Sequence, residues 1–203
     1  MNQKQLEILE IAESLFAKNG FEGTSVRDIA QAAGINVAMI NYYFESKTNL
    51  LELIVKRAAE SYKMRPEEYN EEVDSFKRLD KMIEHYVNSK INNKDVYQLL
   101  FTEATIKKRI INSTVFKELR KHNIQLIKEV IDYGHARGDF RYYDPLLINS
   151  TMIGTLMNFR MNRSLYEELL ILKPDEDFDD MQKELLRTHL KFTIKAILTH
   201  ENK

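Results

Sequence analysis

The chain has 203 residues, 43% of them apolar and 30% charged, a balance that suits one or two globular domains with a real core and excludes a disordered chain. It has no cysteine, which excludes disulfide scaffolds, thiol catalysis and thiolate metal sites. The formal net charge of -1 excludes nucleic-acid binding by bulk charge alone, and no run approaches the ~18 apolar residues that would span a membrane.

With only 3 Pro and 6 Gly, little interrupts long helices, and alternating runs of Val, Ile and Thr are rare. The expected fold is all-α, with about nine helices. The opening MNQKQLEILEIAESLF is amphipathic and charged, unlike a signal peptide, so a cytoplasmic location is expected.

The first helix is predicted from about Lys4 to Asn19, with Ile8, Leu9, Ala12, Leu15 and Phe16 at helical spacing. Gly20 supplies a left-handed stop, after which Phe21 folds back on that stripe. Thr24 or Ser25 caps a second helix whose inner face carries Val26, Ile29, Ala30 and Ala33. Gly34 ends it and Ile35 is an apolar plug. Asn36 caps a short third helix, Val37 to Tyr43, and Ser46 caps a fourth beginning at Lys47. Arg65-Pro66 ends or bends the fourth helix, and the acidic stretch PEEYNEEVD follows as a connector.

Helical stripes then continue: Phe76, Leu79, Ile83, Tyr86 and Val87; next Val96, Leu99, Leu100 and Phe101; then Phe116, Leu119, Ile124, Ile127, Val130 and Ile131. Gly134 and Gly138 weaken the end of the third, and GDFRYYDP reads as a loop. Pro145 opens a helix running to about Leu170. KPDED is a second loop, followed by a last helix from about Phe178 to His200.

Two short helices joined by a glycine-containing turn, over Thr24 to Leu51, suit a helix-turn-helix. Ala30 and Ala33 let the third helix cross closely, and Ile35 and Ile40 anchor it from below. Asn36, Val37, Ala38, Met39, Asn41 and Tyr42 are left outward or along the rim, a small, polar and aromatic face that fits a major groove. The same spacing in an all-helical protein also describes a plain structural corner. Residues 1–60 hold six cations (Lys4, Lys18, Arg27, Lys47, Lys56, Arg57) against eight acids, so any DNA contact has to come from local geometry.

The segment resembles the DNA-binding motif of the TetR family. The likeness runs over about 50 residues, through Ile8, Leu9, Ala12, Leu15, Phe16, Gly20, Phe21, Thr24, Ile29-Ala30, Ala33-Gly34-Ile35, Tyr43-Phe44, Lys47 and Leu50. Many members carry Tyr at the position of Asn41. Here Ile40-Asn41-Tyr42 resembles a subgroup with Asn-Tyr followed by His-Phe, and Tyr43 replaces that His. The resemblance implies a head over residues 1–48 and a helical effector-binding and dimerisation domain over 49–203. It implies that Thr24 and Ser25 bind phosphate, and that Arg27 reaches a base edge or phosphate. Asn36, Val37, Ala38 and Met39 would face bases, while Tyr42, Tyr43 and Lys47 would contact the DNA backbone.

For the body, the resemblance implies a homodimer built on the last two helices, with Ile148, Met152, Gly154, Thr155, Phe159, Leu185, His189 and Phe192 as interface candidates. A pocket for a small apolar or aromatic effector would draw on Tyr62, Met82, Tyr86, Tyr97, Phe101, Phe116, Met152 and Phe159, with Arg109 or His85 as polar anchors. The same side chains equally suit an ordinary core. The five His residues lack metal-ligand spacing, and there is no phosphate loop and no GxSxG, so neither a cofactor nor catalysis is expected. Glu118 and His122, four apart on one helix, read as an exposed ion pair rather than a metal pair. The function expected is a ligand-responsive repressor that binds a palindromic operator as a homodimer. The rivals are a ligand-independent regulator or activator controlled by a protein partner, and a helical enzyme or scaffold with a relic head.

Overall fold

The computed structural model describes residues 1–92, 94–110, 113–170 and 177–199. Among them are ten α-helices and no strand: α1 (Gln3–Asn19), α2 (Val26–Ala32), α3 (Val37–Phe44), α4 (Lys47–Tyr62), α5 (Ser75–Asn92), α6 (Lys94–Phe101), α7 (Thr114–Ala136), α8 (Pro145–Met161), α9 (Arg163–Leu169) and α10 (Phe178–Thr199). A 3₁₀ turn, Pro66–Glu68, follows α4, and a π-helical turn, Thr102–Ile106, follows α6. Of the KPDED loop, residues 173–176 lie outside the described residues, as does residue 200 of the predicted last helix.

The chain divides into two compact units. One comprises Met1–Tyr62 with Asn93–Leu119, the other Lys63–Asn92 with Arg120–Lys203. In the first, α1 packs against α2, α4 and α6. Ile8, Leu9, Ala12 and Phe16 of α1 meet Ile29, Ile40, Leu50, Leu51, Ile54, Leu99 and Leu100 in one buried cluster. Three short helices bury little apolar surface alone, and α4 and α6 complete the core that holds them.

In the second unit α5 packs along α10. Leu79, Met82, Ile83, Tyr86 and Val87 are buried on α5, and Leu186, Leu190, Ile194 and Leu198 on α10. A polar ladder flanks this seam. Lys195 Nζ donates to Asp80 Oδ2 at 2.6 Å, Lys191 to Glu84, and Arg187 Nη2 to Asn88 Oδ1 at 3.1 Å. Steps of four up α5 meet steps of four down α10, so the pair is antiparallel and one register satisfies every rung. Such partly exposed pairs add less than about 1 kcal/mol each, and their main effect is to select register.

The connector after α4 is pinned to α7. Met64 N–H donates to the Asn123 side chain at 2.9 Å, and His122 Nε2 donates to the Met64 carbonyl at 3.0 Å. His122 is therefore a half-buried support for the connector, not the exposed member of an ion pair. Burial drives the Lys90 ammonium down to about 7, since an apolar setting disfavours its charged form.

Two local expectations need correction. The helix opened by Pro145, with Asp144 as its cap, stops at Met161 instead of reaching Leu170. Asn162 leaves the helical region at φ -107°, ψ 24°, its side chain donates to the Asn158 carbonyl, and α9 restarts at Arg163. Gly134, read as a weak point, is a notch. A Cβ there would lie 2.1 Å from the Phe140 ring, which turns back onto α7 and is buried against Phe76. Gly134→Ala is therefore expected to destabilise the protein by about 1–3 kcal/mol through overpacking. This outweighs the ~1 kcal/mol that Ala gains over Gly in a helix. Denaturant unfolding of the two proteins checks it.

Candidate nucleic-acid interface

The local signals work as helix punctuation. Gly20 at φ 76° sends its N–H back to Phe16 O at 2.9 Å, closing α1. Phe21 is 5% exposed, its ring 5.3 Å from that of Phe16. Ser25 caps α2 in a reciprocal box with Asp28, whose carboxyl is held below the usual carboxylate range by the Ser25 backbone and hydroxyl. Gly34 at φ 62° makes the turn, with Ile35 N–H on Ala30 O at 3.0 Å. Asn36 caps α3 by accepting from Ala38 N–H at 2.9 Å.

α3 is fixed from below by Ile40 and Phe44, which are 0% and 3% exposed. Ala30 and Ala33 are buried, as a close crossing of α2 and α3 requires. The opposite face is open. Asn36, Ala38, Met39, Asn41 and Tyr42 are exposed, Tyr42 at 82%, and Val37 is half-buried. Positions 38, 41 and 42 share one side of the helix. Ser25 and Arg27 are exposed on α2, and Tyr43 is half-buried with its ring edge-on to that of Tyr42 at 5.3 Å. No acidic residue lies within α3. The arrangement offers a groove-sized edge of hydroxyl, amide, methyl and thioether groups.

Thr24 is not part of that edge. It is fully buried, and its single hydroxyl hydrogen is shared between Leu15 O at 3.1 Å and Gly20 O at 3.0 Å. It closes the end of α1 and has no hydroxyl hydrogen to offer a phosphate. Lys47 is also engaged from within. Its ammonium donates to Phe21 O at 2.9 Å and Thr24 O at 3.0 Å, and lies 4.3 Å from the Phe21 ring centroid. One of its three N–H groups remains for an outside acceptor.

The pocket candidates divide between the units. Tyr62, Tyr97, Phe101, Arg109 and Phe116 fall in the first, and Met82, His85, Tyr86, Met152 and Phe159 in the second. Tyr62 is buried edge-on to Tyr97 at 5.4 Å. The Arg109 guanidinium is already engaged, bridging Glu103 and Glu22, each at 2.6 Å. His85 Nδ1 meets Glu68 at 2.5 Å in a cleft of about 470 Å³. Its other lining residues, Lys81, Glu84, Asn88 and Ser89, are polar, which does not suit an apolar ligand.

The interface candidates also divide. Ile148 and Met152 are 0% exposed, packed within their own chain, so they cannot face a partner. Thr155 and Phe159 are half-buried, the latter stacked on Tyr166 at 4.5 Å. Gly154, Leu185, His189 and Phe192 are exposed, Phe192 at 75%. Residues 185, 189, 192, 196 and 199 form one exposed line along α10, opposite the buried face of α10. The sequence reading missed exposed Leu147 and Met161 of α8, which share the side of Gly154 at spacings of seven.

A sequence profile described as "Bacterial regulatory proteins, tetR family" matches residues 8–54, and one described as "Tetracyclin repressor-like, C-terminal domain" matches residues 76–197. The chain is 25% identical over 175 residues to the "Probable HTH-type transcriptional regulator YttP" of Bacillus subtilis (strain 168), covering 85% of this chain and 84% of that one. Over 53 residues it is 42% identical to the "HTH-type transcriptional repressor KstR2" of Rhodococcus jostii (strain RHA1), 26% of each chain. Its fold is similar to the crystal structure of the TetR family regulator PfmR from Thermus thermophilus, with a TM-score of 0.69 and 23% identity over 97% of this chain and 99% of that one.

The contrast between Thr24 and Tyr42 is measurable in stability alone. Thr24→Val keeps the shape but removes the hydroxyl bond to the α1 carbonyls, and is expected to cost about 1–2 kcal/mol. Tyr42→Ala, at an open surface position, is expected to change stability by less than about 0.5 kcal/mol. Chemical denaturation of both variants checks the pair.

Proposed function

Because the chain belongs to the TetR family of bacterial regulatory proteins, we propose that it occupies a palindromic operator as a homodimer, represses transcription, and leaves the DNA when a small effector binds. It is a DNA-binding transcriptional regulator and not an enzyme. The observation that carries the reading is the open edge of α3, where Ala38, Met39, Asn41 and Tyr42 face outward while Ile40 and Phe44 hold the helix from beneath.

The proposed contacts follow from what each exposed group can do. Asn36 and Asn41 supply amides to base edges or phosphates. Val37, Ala38 and Met39 suit thymine methyls. Ser25, Arg27, Tyr42, Tyr43 and the remaining N–H of Lys47 would hold the phosphate backbone. Residues 1–48 would form the DNA-contacting part, and residues 49–203 the effector-binding and dimerising part. Two heads on one duplex need a spacing of about 34 Å, one helical turn, so a dimer is required. Its face would be the exposed line on α10, with Leu185, His189 and Phe192, beside Gly154, Thr155 and Phe159.

The effector would be apolar or aromatic, recognised by the Met and aromatic side chains of the body. Met82, Tyr86 and Met152, buried in the second unit, would give its site that character. Binding would shift the population of dimers toward a head spacing that no longer matches the operator. No helix among the described residues is long and apolar enough to cross a membrane, and a cytoplasmic site of action accords with DNA as the partner.

Selection of bound sequences from random duplex DNA tests the reading, and a two-fold symmetric consensus is expected. On that duplex Tyr42→Ala is expected to weaken binding about tenfold or more, equivalent to about 1.4 kcal/mol, with an unchanged unfolding midpoint. Undiminished affinity would remove Tyr42 from the interface. Phe192→Glu places a charge on the proposed dimer face, and is expected to give a folded monomer in sedimentation that has lost operator binding. A persistent dimer would move the interface elsewhere.

A further inference from the structure

The cations of this chain are unevenly placed. Residues 107–109 read Lys-Lys-Arg, with no acid between Glu103 and Glu118. This segment follows the π-helical turn and belongs to the first unit, with the helix-turn-helix. Arg109 moors it there. Its Nε donates to Glu103 Oε2 and its Nη2 to Glu22 Oε1, both at 2.6 Å, and its guanidinium lies 4.3 Å from the Phe21 ring centroid. The Glu103 side chain is 3% exposed, so that end of the bridge is shielded from water and from salt. The backbone N–H groups of Lys107 and Arg109 donate back to Thr102 O and Glu103 O.

The mooring holds the segment against the turn between α1 and α2, where Arg109 meets Glu22 and Phe21. The Arg109 guanidinium holds the Glu22 carboxyl below its ordinary range, and the charges of Lys47 and Lys107 act on it in the same direction. Ser25 and Arg27 follow Glu22 by three and five residues. Lys107 and Lys108 are both exposed, and neither ammonium has an ion-pair partner among the described residues. The first unit also needs such charge. Residues 1–62 carry six cations and eight acids, and residues 93–119 carry five cations and three acids, so the unit as a whole is neutral.

We propose that Lys107 and Lys108 form a second DNA contact, a phosphate clamp that grips the duplex backbone beside the groove entered by α3, carried onto the head by Arg109. The clamp rests on the DNA-binding reading above. Ammonium groups on flexible stems act as point charges toward phosphate and read no sequence, so the clamp adds affinity without changing base preference. Glu22, already paired with Arg109, leaves little free negative charge to oppose it.

The test compares the full-length wild type with the Lys107→Gln/Lys108→Gln double variant on the duplex recovered by selection. Affinity is followed by fluorescence anisotropy from about 50 to about 300 mM KCl, a range in which counterion release dominates. The double variant is expected to bind about tenfold or more weakly at the low-salt end. Its log–log salt slope should be shallower by about two per head, at ~0.9 for each phosphate released. The selected sequence and the unfolding midpoint should stay the same, since both side chains are exposed. An unchanged slope in a wild type that binds its operator overturns the clamp and leaves the DNA-binding reading standing. A wild type that retains no duplex removes both.

Discussion

The geometry of the first unit depends on how the turn between α1 and α2 is held. That turn has no secondary structure of its own, yet it sets where α2 starts and therefore where α3 points. Three side chains close it from within. The Thr24 hydroxyl ties it to the end of α1, the Lys47 ammonium ties two of its carbonyls to the start of α4, and Phe21 seals it against Phe16. The Lys47 bonds link elements that local sequence could not bring together, and all of these bonds are partly shielded from water. The open edge of α3 follows from this closure, because Ile40 and Phe44 can be buried in only one orientation once α1, α2 and α4 are fixed.

The same closure explains which parts of the interface could be read from the amino acids. Ser25, Asn36, Gly20 and Gly34 act within a few residues of their own position, so their roles as caps and turns were legible. The buried stripe of α1 and the anchors Ile40 and Phe44 were legible for the same reason: periodicity is a local property. Thr24, Lys47 and Arg109 were not. A hydroxyl, an ammonium and a guanidinium serve a phosphate as readily as a backbone carbonyl or a carboxylate. The choice is made by partners between 4 and 87 residues away, brought together by the fold. Asn162 carried no signal either, because it breaks the long helix through its own backbone and a bond to Asn158, without Gly or Pro to mark the place. Gly134 gave a signal that pointed the wrong way: the missing side chain makes room for Phe140.

In the second unit the burial pattern separates two kinds of apolar residue that look alike in sequence. On α10, Leu186, Leu190 and Ile194 vanish into the core while Leu185 and Phe192 stay exposed. On α8, Ile148 and Met152 are internal while Leu146 and Leu147 are half in water, 53% and 52% exposed. A helix with apolar groups on two sides is what a protein needs if one side packs at home and the other meets a copy of itself. The α5–α10 ladder accords with the same rotation of α10, the one that buries Leu186, Leu190 and Ile194 and leaves Leu185 and Phe192 outward.

That ladder also constrains the order in which the molecule can be built. Its rungs join residues between 99 and 115 positions apart. A chain emerging from the ribosome has every segment of the first unit once residue 119 is free. Phe76 of α5 meets Phe140 earlier, but the main partner of the α5 stripe is α10, which is made later. Until α10 is made, the chain holds a finished head together with a greasy stripe still short of its main cover.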